Sequence, residues 1–157
     1  MVVNDIRAEA AQAIAEEILA DGGTAVAHAA DIADWDQASA LIHACVDRFG
    51  ALDGLVNNGA MFYMAQIAEE TPAQMRRLIE VNVLGTLYPG LHALRHMLAR
   101  GRGSIVNVTS GSHLGIPGVA TYGATKGAVA SLTYCWAAEV SSTRVRVNAI
   151  SPMGSTC

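Results

Sequence analysis

The chain has 157 residues, 52% hydrophobic and 15% charged, with a net charge of -4. That balance suits one domain with a buried core, excludes disorder on composition, and, with no basic run, argues against nucleic acid or anionic membrane as partners. No apolar stretch approaches the roughly 18 residues that span a bilayer, and Asp5 interrupts the opening residues where a secretory leader carries a long apolar core, so a cytoplasmic location is expected.

Val2-Val3 reads as the end of a strand. A helix is predicted over 7–20, with Ala10, Ala13, Ile14, Ile18 and Leu19 on its apolar stripe and Gly22-Gly23 as its stop. TAVAHAA (24–30) is strand-like. Asp34 caps a helix over 34–50 that Gly50 closes. LDGLVNN (52–58) is a short apolar strand running into a turn. Thr71 at the N-cap and Pro72 at the first helical position open a long helix to Arg100, loosened near Gly85 and Pro89. GSIVNVTS (103–110) is a strand rich in β-branched residues, 122–140 a second long helix, and RVRVNAIS (144–151) the last strand.

Strands and helices alternate, and the strands are short and apolar enough for burial on both faces. The pattern predicts a doubly wound α/β domain with a parallel sheet, a single unit over 1–157, incomplete at both ends. Ligands of such sheets bind beyond the carboxyl ends of the strands. Small and polar residues gather there, at Asn4-Asp5, Asp31-Ile32, Asn57-Asn58-Gly59-Ala60, Thr109-Ser110 and Ser151-Pro152. TYGATKG (121–127) places Tyr122 and Lys126 one helical turn apart on a shared face. An ammonium near a phenol favours the phenolate and lowers its pKa from about 10, which suits proton exchange with an alcohol or carbonyl. Ser110, ending the preceding strand, is placed to hold the same oxygen.

In these residues the chain resembles the short-chain dehydrogenase/reductase family, whose fold is Rossmann-like, and the resemblance covers essentially the whole chain. Asp31-Ile32 is similar to the Asp-hydrophobic pair that contacts adenine. Asn57-Asn58-Gly59-Ala60 resembles the family's Asn-Asn-Ala-Gly turn with its last two residues exchanged. Asn82, Ser110, Tyr122 and Lys126 match the catalytic tetrad in order, and Ser151-Pro152 matches the start of the loop that caps the nicotinamide. The resemblance implies an oxidoreductase that moves a hydride between a nicotinamide cofactor and an alcohol or ketone. In that scheme Tyr122 is the general acid/base and Ser110 polarises the substrate oxygen. Lys126 lowers the Tyr122 pKa and holds the nicotinamide ribose, and Asn82 positions a water that relays protons to Lys126. The residues implied for cofactor binding are Asp5, Asp31, Ile32, Asn58, Gly59, Ala60, Tyr122, Lys126 and Pro152. Asp5, just after a strand, suits the ribose hydroxyls and repels a 2′-phosphate, favouring NAD over NADP; the other reading is that it caps the following helix. Homodimer or homotetramer formation through the two long helices is also implied.

The family's glycine-rich phosphate loop and its C-terminal substrate region have no counterpart in these residues, so an internal piece of a longer product is expected. The alternative is a non-catalytic fragment that at most associates with intact subunits. Ser110 to Tyr122 is one residue shorter than the family's interval, which leaves Ser112 as an alternative polarising hydroxyl. Four further readings come from the residues themselves. His92 and His96, at i and i+4, are expected on a solvated helix face, with no metal site. Cys45, Cys135 and Cys157 are widely spaced and odd in number, which predicts reduced thiols, with Cys45 and Cys135 in the core. Met61, Phe62, Tyr63 and Met64 are either packing or substrate wall. His113 is placed at the substrate mouth or clear of it.

Overall fold

The computed structural model describes residues 1–152. The elements run β1 (Val2–Asp5), α1 (Ala8–Ala20), β2 (Val26–Ala29), α2 (Trp35–Phe49), β3 (Gly54–Asn57), α3 (Pro72–Ile79), α4 (Gly85–Arg100), β4 (Gly103–Val108), α5 (Ala120–Glu139) and β5 (Val145–Ile150). The alternating α/β order predicted from the sequence is therefore present, and every strand pairing is parallel. The helix boundaries have local causes. The Asp34 carboxylate accepts from the N–H groups of Asp36 and Gln37, and Gly50 closes α2 at φ 75°. Thr71 and Gln74 form a reciprocal capping box with Pro72 at the first position of α3.

The predicted long helix over 71–100 is continuous but not uniform. It loosens at a π-helical turn over Glu80–Leu84, immediately before Gly85. Pro89 lies buried inside α4, where its missing N–H is tolerated. Gly90 admits the Trp136 ring so closely that an added Cβ would lie 2.4 Å from it.

The sheet is in two pieces, β1-β2 and β3-β4-β5. Between them lies a cavity of about 680 Å³, lined by β1, β3 and the apolar side chains of Ile14, Ile18, Ile32, Leu41 and Ile42. This division corrects the predicted stripe of α1. Ala11 and Ala15 are the buried positions, while Ile14 is 46% exposed where it lines the cavity and Leu19 is 50% exposed. The core gathers Ile42 of α2, Ala93, Leu94 and Met97 of α4, Ile105 of β4, Trp136 of α5, and Val145 and Val147 of β5. Burying large apolar side chains at about 25 cal/mol per Å² makes this cluster the main stabilising contact of the three-stranded piece.

His92 and His96 correct another expectation. Both Nε2 atoms are buried without a hydrogen-bond partner, and His92 stacks on Trp35 of α2 at 4.2 Å. α4 turns this face towards α2 rather than to water, and burial pulls the His92 imidazole below its ordinary pKa. Cys135 is exposed and Cys45 half-buried, so only Cys45 approaches the predicted core role; Cys157 and the rest of the loop after Pro152 lie outside the described residues. Among the described residues no helix is long and apolar enough to cross a membrane, and no group of three or more His, Cys, Asp or Glu is placed to hold a metal ion.

Candidate active site

The polar pair Thr109-Ser110 follows β4 directly, and a single 3₁₀ turn over Gly111–Leu114 leads into the loop before α5. The Ser110 hydroxyl oxygen accepts from the Ser112 N–H at 3.2 Å, so its own proton remains available to donate. Ser112 is buried and its hydroxyl has no partner, because its backbone packs on α5: a Cβ at Gly123 would lie 2.7 Å from the Ser112 carbonyl oxygen. Of the two serines, Ser110 is the less enclosed.

Tyr122 and Lys126 lie in the first two turns of α5, with the Lys126 ammonium 5.7 Å from the Tyr122 ring centroid. Lys126 is 4% exposed and donates to the Val108 carbonyl at 2.8 Å. Burial pulls its pKa below the usual lysine value. An ammonium carries three N–H donors, so two remain beyond the Val108 bond. The opposite edge of the Tyr122 surround is Phe62, edge-on at 4.9 Å between centroids.

Asn82 sits in the π-helical turn and is 1% exposed. Its side chain accepts from the Met61 N–H at 2.7 Å, and donates to the Met61 carbonyl at 2.9 Å and to the Thr125 hydroxyl at 3.1 Å. It therefore joins the loop after β3 to the helix that carries Tyr122 and Lys126. Asn82→Ala is expected to cost about 2–3 kcal/mol, since it strands buried polar groups of Met61 and Thr125. A urea midpoint unchanged from wild type would refute this joining role.

The cofactor candidates divide. Asp5, Ile32, Asn58 and Gly59 line the same cavity, at or just beyond the carboxyl ends of β1, β2 and β3. Gly59 and Gly85 both admit Ile32, which would approach an added Cβ to 2.7 Å and 2.9 Å. Asp31 is engaged internally: its carboxylate accepts from the Ala33 N–H at 2.9 Å and faces Arg77 at 3.5 Å. Ala60 and Pro152 are exposed and outside the cavity lining. Asp5 accepts from the Arg7 N–H at 2.9 Å and pairs with the Arg7 guanidinium at 3.5 Å. Arg7 is the N-cap of α1, so this bond ties Asp5 to the start of that helix through one carboxylate oxygen. A carboxylate with an oxygen to spare, small residues at strand ends and a lysine with two free donors fit a dinucleotide with ribose hydroxyls.

Sequence reasoning missed a buried amide relay. Asn57 donates to the Asn107 side-chain oxygen at 2.9 Å, and Asn107 donates to the Thr133 hydroxyl at 2.9 Å, tying β3, β4 and α5 together beneath the site. The available signal was Asn107, a polar residue among the apolar Ile105, Val106 and Val108 of β4. Glu70 lies in the loop just before α3. It accepts from the Tyr63 hydroxyl at 3.1 Å and from the Thr121 hydroxyl at 2.7 Å, next to Tyr122.

Residues 1–156 match the family model described as short chain dehydrogenase. The chain is 41% identical over 154 residues to an uncharacterised oxidoreductase of Methylorubrum extorquens, covering 97% of this chain and 61% of that protein. A gluconate 5-dehydrogenase from Burkholderia cenocepacia, solved with NADP and tartrate, superposes with a TM-score of 0.90 at 34% identity, over 96% of this chain and 60% of that one. An NAD+-bound xylitol dehydrogenase gives a TM-score of 0.93 at 28% identity, over 96% and 59%. The chain thus spans about 60% of the length of these relatives. The family match over nearly every residue agrees with the parallel α/β fold: this chain belongs to the short-chain dehydrogenase family.

Proposed function

We propose that the protein containing these residues is a nicotinamide-dependent dehydrogenase or reductase of secondary alcohols and ketones, with 1–157 forming part of a single dinucleotide-binding and catalytic domain. The observation that carries this reading is the placement of Lys126, buried and 5.7 Å from the Tyr122 ring, with Ser110 at the end of the adjoining strand. The chemistry that a nicotinamide supplies when bound is acceptance or donation of a hydride at the carbinol carbon. The chain's own residues handle the proton. The Ser110 hydroxyl donates to the substrate oxygen and fixes its position. The Tyr122 phenol takes the alcohol proton in oxidation and returns it in reduction. The Lys126 ammonium stabilises negative charge on the phenol oxygen and offers its remaining N–H groups to ribose hydroxyls. Asn82 holds Thr125 and the Met61 backbone, which sets the loop against α5. Tyr122-dependent change in nicotinamide absorbance, measured on the full native polypeptide with secondary alcohols and ketones, tests the reading; no turnover in either direction would overturn it.

NAD is the favoured cofactor in this reading. The Asp5 carboxylate lines the cavity at the end of β1, where it can accept from ribose hydroxyls and repels a 2′-phosphate. The exposed ion pair with Arg7 offsets little of this, because such pairs are weak in water. Asp5→Ala is expected to lower the preference for NAD over NADP, as a ratio of kcat/KM values, by about 10- to 100-fold. An unchanged ratio would remove Asp5 from the cofactor site.

A further inference from the structure

Tyr122 stands in the first turn of α5, and that turn is poorly secured by its own residues. Val119 is the N-cap, no side chain caps the helix, and no acidic residue lies in its first turn. α2 and α3 begin instead on Asp34 and Thr71, whose side chains accept from backbone N–H groups. Valine is among the poorest caps, and a first turn without side-chain partners leaves its N–H groups to water.

A carboxylate from a distant part of the chain supplies a tether. One oxygen of Glu70 accepts from the Thr121 hydroxyl at 2.7 Å, and the other accepts from the Tyr63 hydroxyl at 3.1 Å. Thr121 precedes Tyr122 in the same turn, and Tyr63 follows Phe62, whose ring meets Tyr122 edge-on at 4.9 Å. The contacts close a ring: Thr121 to Glu70, Glu70 to Tyr63, and Phe62 back to Tyr122. Glu70 is half-buried, and among the described residues no salt bridge joins it to a cation. Its two oxygens are thus each committed to a hydroxyl, one on either side of Tyr122. Hydrogen bonds to an ionised acceptor are stronger than neutral ones, so this clasp outweighs an ordinary loop contact.

We infer that Glu70 is a positioning residue for the proton-transfer step: holding Thr121 and Tyr63 together, it fixes the first turn of α5 and the Phe62 ring against Tyr122, and so sets the direction of the phenol. This rests on the reading of Tyr122 as the proton-transfer residue. The test uses the full native polypeptide with its nicotinamide cofactor and with 2-butanol, cyclohexanol and xylitol as alcohols. Glu70→Ala is expected to lower kcat by about tenfold or more and to change KM by less than about twofold, since orientation in the transition state is lost and substrate binding is not. Glutamine has the same length, one carbonyl acceptor and an amide donor, so Glu70→Gln still bridges two hydroxyls and should stay within about threefold of wild-type kcat. Thr121→Val should lower kcat, Thr121→Ser should not, and this pair carries the comparison if Glu70→Ala fails to fold. The Glu70→Ala, Thr121→Val double variant should be no slower than Glu70→Ala, because both changes cut one link. Wild-type kcat in Glu70→Ala or Thr121→Val, Glu70→Gln as slow as Glu70→Ala, or single losses that multiply in the double variant overturns this inference. With Tyr122→Phe inactive, the Tyr122 reading then stands. Turnover that survives Tyr122→Phe, or no turnover of any of the three alcohols, overturns both.

Discussion

Tyr122→Phe is expected to lower kcat of the full native polypeptide by about a thousandfold and to leave its folding intact. The size follows from removing a positioned proton donor and acceptor, which contributes typically about 10²- to 10⁴-fold. The selectivity follows from the site. Among the described residues the Tyr122 hydroxyl makes no hydrogen bond, so its loss strands no buried partner. The edge-on contact with Phe62 belongs to the ring, which remains. Unfolding in urea should therefore stay within about 0.5 kcal/mol of wild type. Turnover unchanged in the variant sinks the assignment of Tyr122. Lost turnover together with lost stability would show instead that the hydroxyl holds the fold.

Lys126→Met separates function from stability in the same helix. Activity should fall by at least about a hundredfold, since the cation beside the phenol and the donors for ribose are both lost. Stability should hold or rise. Lys126 is buried with one hydrogen bond, to Val108, and an ammonium taken from water at such a site carries a desolvation penalty of several kcal/mol. Methionine fills similar volume without it, at the lesser cost of an unpaired carbonyl. The pH dependence gives a second check. Burial lowers the folded-state pKa of Lys126 below 10.5, so between those two values the unfolded chain binds more protons than the folded one. Wild-type stability contributed by this group thus rises as pH climbs through that window, and the penalty is present in full below it. Methionine removes the slope. The stability advantage of Lys126→Met measured near pH 7 should shrink near pH 10. A variant clearly less stable than wild type at neutral pH would mean that the ammonium stabilises this fold.

Both expectations concern residues that stand one turn apart, and that spacing is visible in TYGATKG alone. So is much of the scaffold. The caps at Asp34 and Thr71, the proline at 72 and the glycine stop at 50 act within a few residues of themselves, and the structure shows each in place. The order of strands and helices followed from the same local rules of period and punctuation. The errors have a common cause. Ile14 obeys helical periodicity, yet it is left half-exposed in the cavity between the two sheet pieces, while Ala11 and Ala15 are the buried positions. His92 looks solvated until Trp35 of α2 is seen to pack on it.

What the sequence by itself determined, then, is the identity and order of the elements and the facing of Tyr122 with Lys126, because these depend on hydrogen bonds and sterics within a turn or two. Tertiary structure alone decided the rest of the site. Asn82 reaches Thr125 across 43 residues, Asn57 reaches Asn107 across 50, and Lys126 is buried against the Val108 carbonyl of a different element. Phe62 lies on Tyr122 because a loop after β3 folds back over the start of α5. Which faces meet depends on side-chain volume and on how every other element packs, and no local period encodes that.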